Sequence, residues 1–217
     1  MLPLFFKILS PFRLTILIRN IIFDVGNVLL NFKPGQFLMR FVNDEIRIKK
    51  FANNVVKSET WRNLDRGTIT LQEAQDEYIE RYPEEKKLIL LFFSHWQEML
   101  TPIKHNIQIL QELKSNDYKI YLLSNYIKEA FDYVQERNDF FSIVDGKAIS
   151  YKIKSAKPEA KIYQSLLEKY NLDPEQCVFI DDVEANVTQA RSMNIVAIHY
   201  SKDTDLRSEL RKLNVNI

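Results

Sequence analysis

Three groups of polar residues stand where an apolar run stops, and their types suit phosphate chemistry. Asp24 to Asn27 follow the run ending at Phe23, Ser124-Asn125 close KIYLL, and Asp181-Asp182 close CVFI. A fourth group, Lys157-Pro158, opens a helical stretch, where backbone N–H groups favour an anion. Three carboxylates can gather a hard cation such as Mg²⁺. A hydroxyl, amide N–H groups and an ammonium can hold a phosphate. Each piece alone has a plainer explanation. An Asp after a strand often starts a turn, an Asp pair before a helix can be an N-cap, and lysine is usually solvated. Their joint occurrence, each placed at the end or start of an element, carries the argument.

Those elements define the frame. Apolar, β-branched runs at 17–23, 119–123, 177–180 and 195–199 read as buried strands, and 140–144 is a candidate for another. Helical patterns at 106–115, 128–137, 158–170 and 184–192 alternate with them. The expectation is an α/β fold: a Rossmann-like parallel sheet with helices on both faces. In such a sheet ligands bind beyond the carboxyl ends of the strands, which brings the polar groups to one crevice. Between the first two strands, residues 36–105 are helical in pattern throughout and too long for a simple crossover. They read as an inserted all-helical domain, flanked by core segments 19–35 and 106–217. Thr70 with Glu73 fits a capping box, and Pro83 separates the last two helices of the insert. Each of the four glycines, Gly26, Gly35, Gly67 and Gly146, is expected to mark a turn or a close approach.

The bulk composition excludes several classes. Thirty basic residues face 29 acidic ones, which gives no basic excess for a nucleic-acid binder. The single cysteine, Cys177, rules out an intrachain disulfide and fits a reducing, cytoplasmic setting. Residues 1–18 are apolar but interrupted by Lys7, Pro11 and Arg13, and no A-x-A-like site follows. They read as an N-terminal extension rather than a signal peptide or a transmembrane helix, so no stable membrane insertion is expected. His95, His105 and His199 are too scattered for a metal site.

In these residues the chain resembles the haloacid dehalogenase superfamily, from about Arg19 to Tyr200. IIFDVGNVLLNF stands for its first motif, IYLLSN for the second, AKPEAKIYQ for the third and VFIDDVEAN for the fourth. The wording FDxGNVL and KPEAKIYQ resembles bacterial sugar-phosphate phosphatases that include a glucose-1-phosphatase. The resemblance implies a Mg²⁺-dependent phosphatase with an inserted cap domain, hydrolysing a small phosphate monoester, a sugar phosphate first of all, as monomer or homodimer. It implies that Asp24 attacks phosphorus and forms an aspartyl-phosphate. Ser124 and Lys157 would hold the phosphoryl oxygens. Mg²⁺ would be held by Asp24, the Gly26 carbonyl and Asp182, with Asp181 on the metal or one water away. Asn125 and Asn186 would orient neighbouring groups, Asn125 at the substrate side. The family's usual acid/base, the second Asp of the first motif, is Gly26 here. General acid–base help is typically worth about a hundred- to ten-thousandfold. Another group could supply the proton, the leaving group could be a good one, or the protein could bind phosphate compounds with little turnover. A 2-haloacid dehalogenase is a further alternative, since halide needs no proton, but the Asp181-Asp182 pair looks like a retained metal site. Substrate choice would fall to Tyr126 and to residues of the insert, with Trp61, Arg62, Arg66 and Tyr78 as candidates. The opposing reading has Trp61 packed between helices and both arginines in solvent.

Overall fold

The computed structural model describes residues 17–217 of the chain; the extension expected over 1–18 lies almost entirely outside them. Five parallel strands form one sheet: β1 (Asn20–Phe23), β2 (Lys119–Ser124), β3 (Gly146–Ile149), β4 (Cys177–Asp181) and β5 (Val196–His199). Their order is β3-β2-β1-β4-β5, so β1 is central and the chain leaves it in both directions across the sheet. Phe23 lies opposite Leu122 on one side and Ile180 on the other. That register brings the ends of β1, β2 and β4 level, and Asp24, Ser124 and Asp181 emerge from the same edge. The strand order reverses at β1, the point where open parallel sheets offer a crevice.

The core strands are buried on both faces, as parallel strands must be. Ile21, Phe23, Leu122 and Ile180 pack on one side, while Ile22, Leu123 and Phe179 pack on the other. α6 (Lys104–Ser115) and α7 (Lys128–Arg137) contribute to the first layer through Ile109, Leu113, Phe131 and Val134. α9 (Ala160–Tyr170) and α10 (Glu184–Ser192) close the second through Ile162, Leu166, Val187 and Ala190. A short α8 (Ser150–Ile153) follows β3, and α11 (Leu206–Lys212) packs Leu206 and Leu210 into the first layer.

Between β1 and β2 the chain builds α1 (Pro34–Leu38), α2 (Glu45–Phe51), α3 (Glu59–Asp65), α4 (Leu71–Arg81) and α5 (Lys86–His95). Thr70 and Glu73 make the capping box that the sequence announces. Ser58 caps α3 by accepting from the Trp61 N–H. An aromatic cluster fills the insert: Phe92 lies 5.3 Å from Phe51 and Phe93, and 6.1 Å from Trp61. No described helix is long and apolar enough to cross a membrane.

Three sequence expectations need correction. Phe140 to Val144 is not a strand. Residues Asp139–Ser142 form a 3₁₀ turn whose Phe140 and Phe141 stack at 4.3 Å and enter the core as a pair. The strand comes next, at Gly146, where the Tyr170 ring leaves no space for a Cβ. α9 begins at Ala160 rather than Pro158, because Glu159 turns back to accept from the Ser155 hydroxyl and the Ala156 N–H. Gly26 is not required by the backbone: its φ is not in the left-handed region, and a Cβ there would meet no atom within 4 Å.

Candidate active site

The level strand ends bring the polar groups together. Asp24 is buried just beyond β1, and its Oδ1 accepts three hydrogen bonds: from its neighbour Val25 N at 2.7 Å, from Ser124 Oγ at 2.5 Å and from Lys157 Nζ at 2.8 Å. Those three donors fix the carboxylate rotamer, and the hydrogen bonds that Asp24 accepts among the described residues all fall on that one oxygen. Lys157 is buried and also donates to Asp181 Oδ2 at 2.6 Å, so a single ammonium bridges two carboxylates. Asp181 is fully buried and accepts further from Val183 N at 2.8 Å and from Asn186 Nδ2 at 3.0 Å. Asp182 is held by Asn27 Nδ2 at 3.0 Å. A carboxylate oxygen of each of the three aspartates can be chosen so that all lie within 4.8 Å of one another.

This charge arrangement is costly when dry. Three acids converge on one ammonium, and burying an unmatched charge is expensive. Burial pushes the Asp24 carboxyl up to about 7, with Lys157 opposing the rise and Asp181 adding to it. Burial likewise raises Asp182. For Lys157 burial acts downward, but Asp181 and Asp24 outweigh it and the ammonium is held above its ordinary range. Two negative charges in excess of one lysine is the electrostatic deficit that a divalent cation would fill, and an all-oxygen donor set suits a hard ion.

The pocket above this cluster has a volume of about 210 Å³. Asp24, Gly26, Lys157 and Asp182 line its floor, and both core and insert supply its walls. Phe32, Trp61, Phe92, Phe93, Trp96 and Ile127 make most of the wall apolar. Trp61 therefore does both things weighed for it: it packs against Phe32 at 6.0 Å and Phe93 at 6.1 Å, and it faces the pocket. Tyr126 is buried, lines the pocket, and its hydroxyl has no hydrogen-bond partner among the described residues. Asn125 lines the pocket too, but both ends of its amide are taken by the main chain of Lys157, at 2.8 and 3.0 Å. It is a positioning residue for Lys157 rather than a ready substrate ligand. Asn186 does the same for Asp181.

Arg66 is not a pocket residue. Its guanidinium pairs with Glu159 at 2.6 Å and Glu59 at 3.0 Å, which binds the insert to the core outside the pocket. Arg62 is exposed and paired with Glu59, and Tyr78 is fully buried with its hydroxyl on the Val55 carbonyl. Asp65, the last residue of α3, lines the same pocket and carries no sequence signal of its own. Asn27 belongs to the polar group expected after β1, whereas the wall residues Phe32, Phe92, Phe93 and Trp96 carry no sequence signal of a pocket. Ser58 as an N-cap was the one local signal for the helix that carries Asp65.

The profile of haloacid dehalogenase-like hydrolases matches residues 18–194, and the chain belongs to that family. Among curated proteins it resembles the sesquiterpene phosphatase of Aspergillus oryzae, with 24% identity over 88% of this chain and 94% of that one. It also resembles the D-ribitol-5-phosphate phosphatase of Bacteroides thetaiotaomicron, with 21% identity over 89% of this chain and 97% of that one. Among solved structures, a haloacid dehalogenase family enzyme of B. thetaiotaomicron, in complex with magnesium and inorganic phosphate, superposes with a TM-score of 0.68. That likeness has 23% identity over 89% of this chain and all of the other, and establishes the fold. The chain is thus a hydrolase of a family whose named relatives include phosphatases.

Proposed function

We propose that the protein is a Mg²⁺-dependent phosphomonoesterase in which Asp24 is the nucleophile. The carrying observation is the carboxylate of Asp24, buried at the pocket floor and held by Ser124 and by an ammonium shared with Asp181. Asp24 attacks phosphorus and the ester oxygen leaves; water then attacks the same phosphorus and releases phosphate and the free carboxylate. Two displacements replace one difficult step. Lys157 and Ser124 face the attacked group and offset the charge on its equatorial oxygens. Asp24, Asp182 and the Gly26 carbonyl would hold Mg²⁺, with Asp181 beside it, and the ion would neutralise phosphate charge and align the attack. The insert acts as the cap: it supplies the pocket wall and keeps bulk water from the phosphoryl group.

The wall favours an ester with a compact apolar or aromatic group. A sugar brings several hydroxyls, and each one buried without a partner costs on the order of 1–3 kcal/mol. Tyr126 and Asp65 are, with a few asparagines, the polar groups that line the pocket beyond its charged floor. An apolar leaving group is in keeping with the phosphatase of A. oryzae, whose name specifies a sesquiterpene. A sugar phosphate is the second reading, favoured by the motif wording around Asp24 and Lys157 and by the relative named for D-ribitol 5-phosphate. The free, buried Cys177 suits a reducing cytoplasm.

The test is phosphate release from a panel of prenyl, aryl, alkyl and sugar phosphates, with Mg²⁺ and with chelator, beside an Asp24→Asn variant. The expected result is Mg²⁺-dependent release, fastest with apolar esters, that disappears in the variant. Faster turnover of sugar phosphates selects the second reading. No release from any ester, with halide release from 2-haloacids instead, overturns both.

A further inference from the structure

The pocket holds a carboxyl that the two displacements described above leave unused, and the glycine that stands where the family places an acid lines that same pocket. Gly26 and Asp65 line the same cavity, one from the β1 end and the other from the end of α3. The place beside Gly26 is open, since a Cβ there would meet nothing within 4 Å. Packing therefore does not forbid an acid at 26.

Asp65 is also held in place by the core. Its carbonyl accepts from Ser150 Oγ at 2.6 Å, and the same hydroxyl accepts from the Tyr126 N–H at 3.0 Å. The next residue, Arg66, is paired with Glu159, two positions from Lys157. Lys154 Nζ donates to the Gly67 carbonyl. Three consecutive residues of the insert are thus tied to the core beside the pocket, where the insert could otherwise drift. Positioning of this kind is what a proton donor needs, because transfer requires hydrogen-bond reach.

We propose that Asp65 is the general acid and base of this enzyme, supplied by the insert in place of the residue missing at position 26. The inference rests on the phosphomonoesterase reading. In the first displacement the bond from the Asp24 oxygen to phosphorus forms and the bond from phosphorus to the ester oxygen breaks. The Asp65 proton goes to that departing oxygen, which leaves as the neutral alcohol. In the second, the Asp65 carboxylate takes a proton from water as its oxygen bonds to phosphorus and the Asp24–phosphorus link breaks. Asp65 is then protonated again and the cycle closes. Its surroundings suit the role: burial pushes its carboxyl up to about 7, against the pull of Lys157 and Trp61, with Asp24 adding to the rise and Arg66 opposing it.

The experiment compares an alkyl phosphate, whose leaving group needs a proton, with p-nitrophenyl phosphate, whose leaving group departs as an anion. Wild type, Asp65→Asn and Asp65→Asn/Gly26→Asp are assayed with Mg²⁺, with circular dichroism to confirm folding. In rapid-quench measurements of phosphoryl-enzyme formation, Asp65→Asn should lose about a hundredfold or more with the alkyl ester and less than about threefold with the aryl ester, while breakdown of the intermediate slows alike for both. The double variant, with an acid restored in the open space at 26, should recover much of the alkyl activity. In the wild type, which needs no substitution, the ratio of alkyl to aryl rates should fall as pH rises through 7. Equal losses in the formation step with both esters, or an alkyl-to-aryl ratio flat with pH, overturn the role of Asp65 while leaving the phosphatase reading intact. No release by the wild type from either ester overturns both.

Discussion

The two walls of the pocket are made differently. The floor, set by the ends of β1, β2 and β4, is polar, and its carboxylates are held by several donors: Asp24 by three on one oxygen, Asp181 by Lys157, Asn186 and the Val183 N–H. The roof, set by α3 and α5, is aromatic and carries one carboxyl, Asp65. The floor is rigid because each strand end is fixed by its ladder and each side chain by its hydrogen bonds. The roof depends on packing between aromatic rings and on a few ties to the core at residues 65–67. In the proposed mechanism the displacements at phosphorus belong to the sheet edge, and the insert contributes the choice of ester and the acid Asp65. Substitutions on the two sides should fail in different ways.

The largest effect should come from the floor. Asp24→Asn keeps the shape but removes the proposed nucleophile, and kcat for any ester should drop on the order of a thousandfold or more; a steady-state phosphate assay reads it. Lys157→Met should cost stability as well as turnover. It leaves two buried aspartates without their shared cation, and losing one partner of a buried pair costs about 3–5 kcal/mol. Urea unfolding should show that loss, and an unchanged midpoint would mean that the ammonium is not what makes the floor tolerable.

On the roof, Trp61→Ala should raise KM for apolar esters by about 10- to 100-fold, consistent with roughly 1–3 kcal/mol of lost burial, while kcat stays near the wild-type value. A fall in kcat alone would break the division of labour. Asp65 gives a pH signature. Its carboxyl is raised from 3.8 to about 7 in the fold, so the folded state keeps a proton that the unfolded state releases between those values. Stability conferred by that group is therefore greatest at low pH and declines as pH rises through this window. Asp65→Asn removes the charge, so its unfolding midpoint should improve relative to wild type as pH is raised from 4 to 8. The smallest effect belongs to the tie at the edge. Arg66 is a quarter exposed and pairs with still more exposed glutamates, so Arg66→Ala should cost less than about 1 kcal/mol. Differential scanning calorimetry would measure that shift, and a cost several times larger would make this tie a main support of the roof.

The same division marks what the sequence disclosed. Asp24, Ser124, Asp181 and Asp182 were legible because each follows an unbroken apolar run, and a parallel sheet sends all such ends to one edge. Lys157 was legible through its motif. The roof was not. Asp65 is one acid among 29, and α3 buries only Thr60 and Leu64, too few for a helical stripe to stand out. Phe92 and Phe93 sit in a strongly apolar helix, where facing a pocket and facing a core give the same pattern. Arg66 was placed on the substrate by residue type, but its partner Glu159 lies 93 positions away and only the fold brings them together. Local pattern also misplaced β3, because a Phe-Phe pair resembles a strand until its rings are seen to stack.

The central claim is that Asp24 carries the phosphoryl group. Acid quenching within the first turnover on an apolar phosphate ester with Mg²⁺, followed by peptide mass spectrometry, tests it directly. The account predicts one phosphoryl mass on the peptide containing Asp24, lost on brief alkaline treatment and never formed by Asp24→Asn or with chelator. Phosphate release at full rate with that peptide unmodified, or with the phosphoryl group on another residue, would contradict it.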